Sequence, residues 1–90
     1  MGNQFTEMLI KVCEKGNAEN VRILIEKGAD VNTVDANGTT PLIVGGMSGF
    51  TDIARLLIDS GAQVDIKNKS GNTALLYTCM RGHQGVAKLL

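Results

Sequence analysis

Apolar residues recur along this chain in short bursts at helical spacing, each burst closed by a glycine. From Thr40 the pattern runs through Leu42 and Ile43 to Gly45, Gly46 and Gly49. A second burst, Ile53, Leu56 and Leu57, carries Arg55 and Asp59 on its other side and ends at Gly61. Such spacing predicts two amphipathic helices. Thr40-Pro41 reads as a helix start, with a hydroxyl to accept a free amide and proline at the first helical position, where its missing N–H is harmless. Gly49 reads as the end of that helix, because glycine tolerates positive φ. Thr51 reads as the cap of the next helix. Beyond Gly61, Val64 and Ile66 alternate with polar residues as far as Gly71, which predicts an extended, hairpin-like loop.

The same pattern returns at a step of 33 residues. Gly16, Gly49 and Gly82 fall in register, as do Leu9, Leu42 and Leu75, and Leu24, Leu57 and Leu90. Gly28-Ala29 matches Gly61-Ala62, Val31 matches Val64, Asn32 matches Asp65, and Thr40 matches Thr73. Arg22, Arg55 and Lys88 share one charged position. Helices shorter than about 12–15 residues are marginal in water, so units of this size must lean on their neighbours. The expected architecture is therefore an all-α solenoid in which near-identical helix pairs stack. One domain covers residues 1–90, in units of about 1–34, 35–67 and 68–90.

The run Gly38-Thr39-Thr40-Pro41-Leu42, followed by Gly49, Ile53, Leu56-Leu57 and Gly61-Ala62, resembles the ankyrin repeat. Gly71-Asn72-Thr73-Ala74-Leu75 and Gly82-His83 repeat it, and the first unit keeps Leu9, Gly16-Asn17, Ile23-Leu24 and Gly28-Ala29 without the leading hairpin. Three departures stand out. Ile43 and Leu76 replace the histidine usual after Thr-Pro-Leu. Gly45-Gly46 replaces two alanines, each at a cost of about 1 kcal/mol inside a helix, so the middle unit is either soft or adapted to close helix contact. The last unit stops at Leu90, within its second helix, which points to a fragment of a longer array or to a chain that associates through that end.

The resemblance implies a protein-interaction module that meets its partner with the loop tips and the concave side of the first helices. Transferred position by position, that surface comprises Val34, Asn37, Thr39, Met47 and Ser48, then Lys67, Lys69, Asn72, Met80 and Arg81. The same transfer adds Ala36, Ser70, Glu14 and Lys15 to that surface. The alternative is a structural role, with dimerisation or stacking through the uncapped C-terminal repeat. The loop sequence Asp30-Val31-Asn32, with Leu24 upstream, is also similar to the asparagine-hydroxylation sites of ankyrin loops, whereas turn chemistry alone accounts for Asn32 as a loop hydrogen-bonder.

Composition narrows the choice. A hydrophobic share of 43% is enough for a core, while an aromatic share of 3% suits stacked helices packed on Leu, Ile, Val and Ala. Nine acids balance nine bases, without the basic excess that binding to nucleic acid needs. Residues 67–90 nevertheless hold four bases and no acid, which favours a partner with an acidic surface. No apolar run approaches the roughly 20 residues of a membrane span. Two cysteines do not make a disulfide framework, and a cytoplasmic setting is expected.

Candidate chemistry adds little. Cys79 and His83 are four apart, a possible ligand spacing, yet Gly82 interrupts the helix between them. Cys13, Gly46 and Cys79 share one repeat position, where small buried residues are expected. Asp30, Asn32, Asp35 and Asn37 hint at a calcium loop, but Val34 breaks the alternation of oxygen ligands and no glutamate closes it. Gly45-Gly46-Met47-Ser48-Gly49 lacks the lysine of a phosphate loop. Met1-Gly2-Asn3-Gln4-Phe5-Thr6 fits an acylation pattern without a polybasic segment behind it. No nucleophile, base and orienting group occur together. The expectation is a non-enzymatic protein with no cofactor and no metal.

Overall fold

A computed structural model describes residues 4–90; the acylation pattern at Gly2 lies outside the described residues. Among the described residues six helices occur in three antiparallel pairs: α1 (Gln4–Lys15) with α2 (Ala18–Glu26), α3 (Pro41–Ser48) with α4 (Thr51–Asp59), and α5 (Ala74–Met80) with α6 (Gln84–Ala87). No strand occurs among the described residues. The helix starts follow from local chemistry. Thr40 Oγ1 accepts the Ile43 amide at 3.1 Å, and Thr73 Oγ1 accepts the Leu76 amide at 3.2 Å. Asn17 Oδ1 does the same for Asn20 at the start of α2.

Thr51 is not the cap that the sequence suggests. It is the first residue of α4, and Phe50 precedes it with no side-chain cap bond. Position 50 is used for packing instead. A Cβ on Gly16 would come within 2.8 Å of the Phe50 ring, so the ring lies against the bare glycine that ends α1. Its equivalent at α6, His83, also makes no side-chain cap. Helix α6 further lacks the first-turn acid that Glu19 and Asp52 supply to α2 and α4, carrying Gly85 in that place. Without the favourable charge at its N-terminus and with glycine inside, α6 is a single short turn.

The first helices form one layer and the second helices another. Helix α3 packs against both α1 and α5, α2 packs against α4, and α4 against α6. Being covered on both sides, α3 is apolar all round and buries Pro41, Leu42, Ile43, Val44, Gly45 and Gly46. Helix α5 buries only Ala74 and Thr78. Leu9, Cys13, Val21, Ile53, Leu57 and Val86 complete a continuous core through the stack.

Gly45-Gly46 resolves in favour of close helix contact at Gly46. A Cβ there would fall 2.6 Å from Thr78 Oγ1 and 3.3 Å from the Ala74 carbonyl oxygen, whereas one on Gly45 would meet Ile53 Cγ2 at 3.4 Å. Thr78 cannot easily yield, because its buried hydroxyl donates to the Ala74 carbonyl at 2.6 Å. The expectation of two buried cysteines holds for one. Cys13 is fully buried, but Cys79 is exposed. Their shared position is covered when another first helix packs over it, as α5 covers Gly46; among the described residues none packs beyond α5.

The connecting segments are turns held by side chains. Asp35 Oδ1 accepts the amides of Asn37 at 2.8 Å and Thr39 at 2.9 Å. One repeat later, Asn68 Oδ1 accepts Ser70 and Asn72 at 3.0 Å each. The Lys69 amide donates to the Asn37 carbonyl at 2.9 Å, tying one loop tip to the next. On the opposite side, Asn32 Nδ2 donates to the Gly61 carbonyl at 3.2 Å while its Oδ1 accepts the Gln63 amide at 2.8 Å.

Candidate functional site

The repeat step sets residues side by side across α1, α3 and α5. Glu14, Met47 and Met80 form one row, Lys11, Val44 and Tyr77 a second, and Lys15, Ser48 and Arg81, the residue that caps α5, a third. Between the first-helix layer and the loops runs a groove with two hollows. One, of about 440 Å³, is lined by Glu14, Asp35, Thr39, Val44, Met47, Ser48 and Tyr77. The other, of about 340 Å³, has Thr6, Ile10, Lys11 and Val34 among its lining residues and shares Glu14 and Asp35 with the first.

Of the residues singled out from sequence, Thr39, Met47 and Ser48 meet in the larger hollow, and Val34 lines the smaller one. Val34 is 52% exposed and Met80 64%. Asn37 and Lys69 are joined through their backbones at the loop tips. Asn72 is half-buried, its amide held by Asn68. Lys67, Lys69, Met80 and Arg81 are exposed and stand outside the two hollows.

Sequence reasoning missed Tyr77 and Asp35. Tyr77 forms a wall of the larger hollow, where its hydroxyl accepts a hydrogen bond from Asn68 Nδ2 at 2.9 Å. Bonds from the Asn72 and Asn68 side chains, together with the Arg81 charge, hold this phenol below the usual tyrosine value. The signal was present in the repeat register, because Tyr77 aligns with Val44 and Lys11. Asp35 is legible only as a turn residue; that it also faces the groove depends on where α1 lies.

The other chemical motifs have structural occupations. His83 Nε2 donates to the Met47 carbonyl oxygen at 3.1 Å, and Gly82, with φ +73°, separates it from α5. Asp30 Oδ1 accepts the Asn32 amide at 2.9 Å, and Asp35 closes its own turn, as turn chemistry requires. Among the described residues no group of three or more His, Cys, Asp or Glu side chains is placed to hold a metal ion. Burial, and secondarily the Glu14 charge, pushes the Cys13 thiol up to about 12, far from the activated range of a nucleophilic cysteine. No helix of the described residues is long and apolar enough to cross a membrane.

No curated protein gives a significant match to the chain. The family model for ankyrin repeats (three copies) matches residues 3–68, in agreement with the helix pairs, the threonine caps and the glycine-terminated first helices. On this match and this architecture, the chain belongs to the ankyrin repeats, a family whose members are generally protein-protein interaction modules.

Proposed function

We propose that the chain binds a partner protein through its loop tips and the concave face of α1, α3 and α5. The observation that carries this reading is the groove itself. It draws on all three helix pairs, its floor at Val44 and Met47 is apolar, and Thr39, Ser48 and Tyr77 supply polar groups at its margin. Apolar area with a few oriented polar groups is what a specific contact needs. Exposed Met80 continues the row of Met47, and thioethers adapt to varied apolar surfaces. Lys67, Lys69 and Arg81 stand around this end and suit acidic groups on the partner's rim. The contact set is Val34, Asn37, Thr39, Met47, Ser48, Lys67, Lys69, Asn72, Met80 and Arg81. The reading needs neither catalysis nor a cofactor.

The test uses binders selected against the full chain. Met80→Ala combined with Arg81→Glu is expected to weaken them by about tenfold or more, with an unchanged circular dichroism spectrum. Full affinity in that variant, and in Met47→Ala, would remove this surface from consideration.

A second reading is favoured by one observation. Leu75 and Leu76 are 44% and 43% exposed although their equivalents Leu42 and Ile43 are buried, and Val64 is 39% exposed where Val31 is covered. A second copy of the chain packed on this end would hide them. Sedimentation velocity separates the readings: self-association should appear at high concentration and disappear in Leu76→Glu. A monomer throughout the concentration range eliminates it.

A further inference from the structure

Residues 67–90 are basic, yet the groove beside them carries the opposite charge. Its two hollows share Glu14 and Asp35. Glu7 and Lys11 line the smaller hollow as well, so three carboxylates face one ammonium group along the groove. We propose that this groove receives an extended segment of the partner in which a lysine or arginine, flanked by apolar side chains, lies over Glu14 and Asp35. The proposal rests on the reading that the concave face is the contact surface, and it deepens that reading by giving the bound segment its chemistry.

Neither carboxylate is fully used by the fold. Glu14 makes no ion pair among the described residues, where the only ion pairs join Arg22 to Glu19 and Glu26. Its equivalents one and two repeats on are Met47 and Met80, so the helix does not require an acid at that position. Asp35 is committed through Oδ1 alone, to the Asn37 and Thr39 amides. Those two bonds fix the carboxyl group in place and leave Oδ2 unpaired among the described residues. A fixed, half-satisfied carboxylate is preorganised for an incoming cation, since ordering it on binding costs little.

The flanking hollows define what stands beside the cation. Ile10 and Val34 contribute apolar surface on one side, Val44 and Met47 on the other. A wholly apolar segment would desolvate Glu14 and Asp35 without replacing their water, and an acidic one would be repelled. A basic side chain between two apolar ones satisfies all three parts of the groove. Acidic residues farther along the partner then meet Lys69 and Arg81, so the bound segment has a defined direction across the repeats.

The experiment begins with a random peptide library selected against the full chain. Enriched sequences should place a lysine or arginine between apolar residues. Their affinity is then measured by fluorescence anisotropy for the wild type, for Glu14→Gln with Asp35→Asn, and for Met47→Ala. Asp35→Asn preserves the turn, because Asn68 makes the same two bonds one repeat later. The charge variant should bind about tenfold more weakly and lose much of its salt dependence. Replacing the peptide's basic residue by glutamine should cause the same loss in the wild type and little more in the variant. If Met47→Ala weakens binding while the charge variant and the glutamine peptide bind normally, the cationic segment is refuted and the concave contact stands. If none of these changes matters, both are refuted.

Discussion

The imidazole of His83 lies flat against Gly49, with Nε2 bonded to the Met47 carbonyl at 3.1 Å and Nδ1 only 2.6 Å from where a Cβ on Gly49 would be. Phe50 and Gly16 repeat the arrangement one unit earlier. In each case a ring that begins the second helix of one pair covers the glycine that ends the first helix of the pair before. The glycine therefore serves twice. It adopts a left-handed conformation, φ +74° at both positions, and it leaves room for the ring.

Gly49→Ala should for this reason cost more than the backbone alone requires. Gly82 has nearly the same φ, +73°, but a methyl group there would meet nothing within 4 Å. Gly82→Ala is expected to lose about 1 kcal/mol from left-handed strain, and Gly49→Ala about 2–3 kcal/mol once displacement of His83 is added. Urea titrations of the two variants measure the difference. Equal losses would mean that the ring contact contributes nothing.

Adjacent glycines in α3 should respond in opposite directions. Gly45→Ala removes a poor helix former and adds a methyl group in ordinary contact with Ile53, so a gain of up to about 1 kcal/mol is expected. Gly46→Ala drives a methyl group into Thr78 and should lose about 1–3 kcal/mol. Adding Thr78→Ala to Gly46→Ala should recover part of that loss, and a double-mutant cycle on thermal or urea unfolding would reveal the coupling.

Two cysteines at one repeat position should differ in reactivity. A thiol reagent added to the native chain is expected to label Cys79 rapidly and Cys13 only on unfolding, as mass spectrometry can follow. The raised Cys13 value also makes stability depend on pH. The unfolded thiol ionises near its ordinary value of 9.0 and the folded one only at about 12. Stability from the neutral buried thiol is complete below pH 9 and declines above it, by up to about 1.4 kcal/mol per pH unit, until pH 12. In Cys13→Ala this alkaline slope should be absent.

Asn32 bridges two units with both halves of its amide. Asn32→Ala should cost about 1–2 kcal/mol, the loss of two hydrogen bonds at a partly exposed site. Asn32→Asp keeps the acceptor for Gln63 but sets a carboxylate against the Gly61 carbonyl, and should fall to a similar stability. Unfolding midpoints no different from wild type would show the bridge to be idle.

Much of this architecture was legible in the chain because its signals are local. A threonine before Pro41 or Ala74 caps a helix through its own side chain, and a glycine at a left-handed position ends one whatever surrounds it. Heavy repetition at a fixed step also required helix pairs to stack, since neither helix of a pair can persist alone. Where local rules competed with packing they failed. Thr51 has the chemistry of a cap, but the chain begins α4 one residue earlier and sets the Phe50 ring over Gly16. Of the residues lining the larger hollow, Met47, Ser48 and Thr39 were named through the family resemblance, while Asp35 and Tyr77 join them only when three helices and a loop tip come together.

Sequence alone determined the repeat length, the helix pairs and the glycine stops, all of them properties of single residues or short spacings. Tertiary structure decided what each repeat position means. Cys13 and Cys79, or Glu14 and Met47, are equivalent by register and different in fact, because burial and electric field depend on the neighbouring unit. A repeated pattern carries no record of what lies next to each copy. Contact does: it buries one thiol and leaves the other exposed, denies one glycine room for a Cβ, and sets one carboxylate pair where the two hollows of the groove meet.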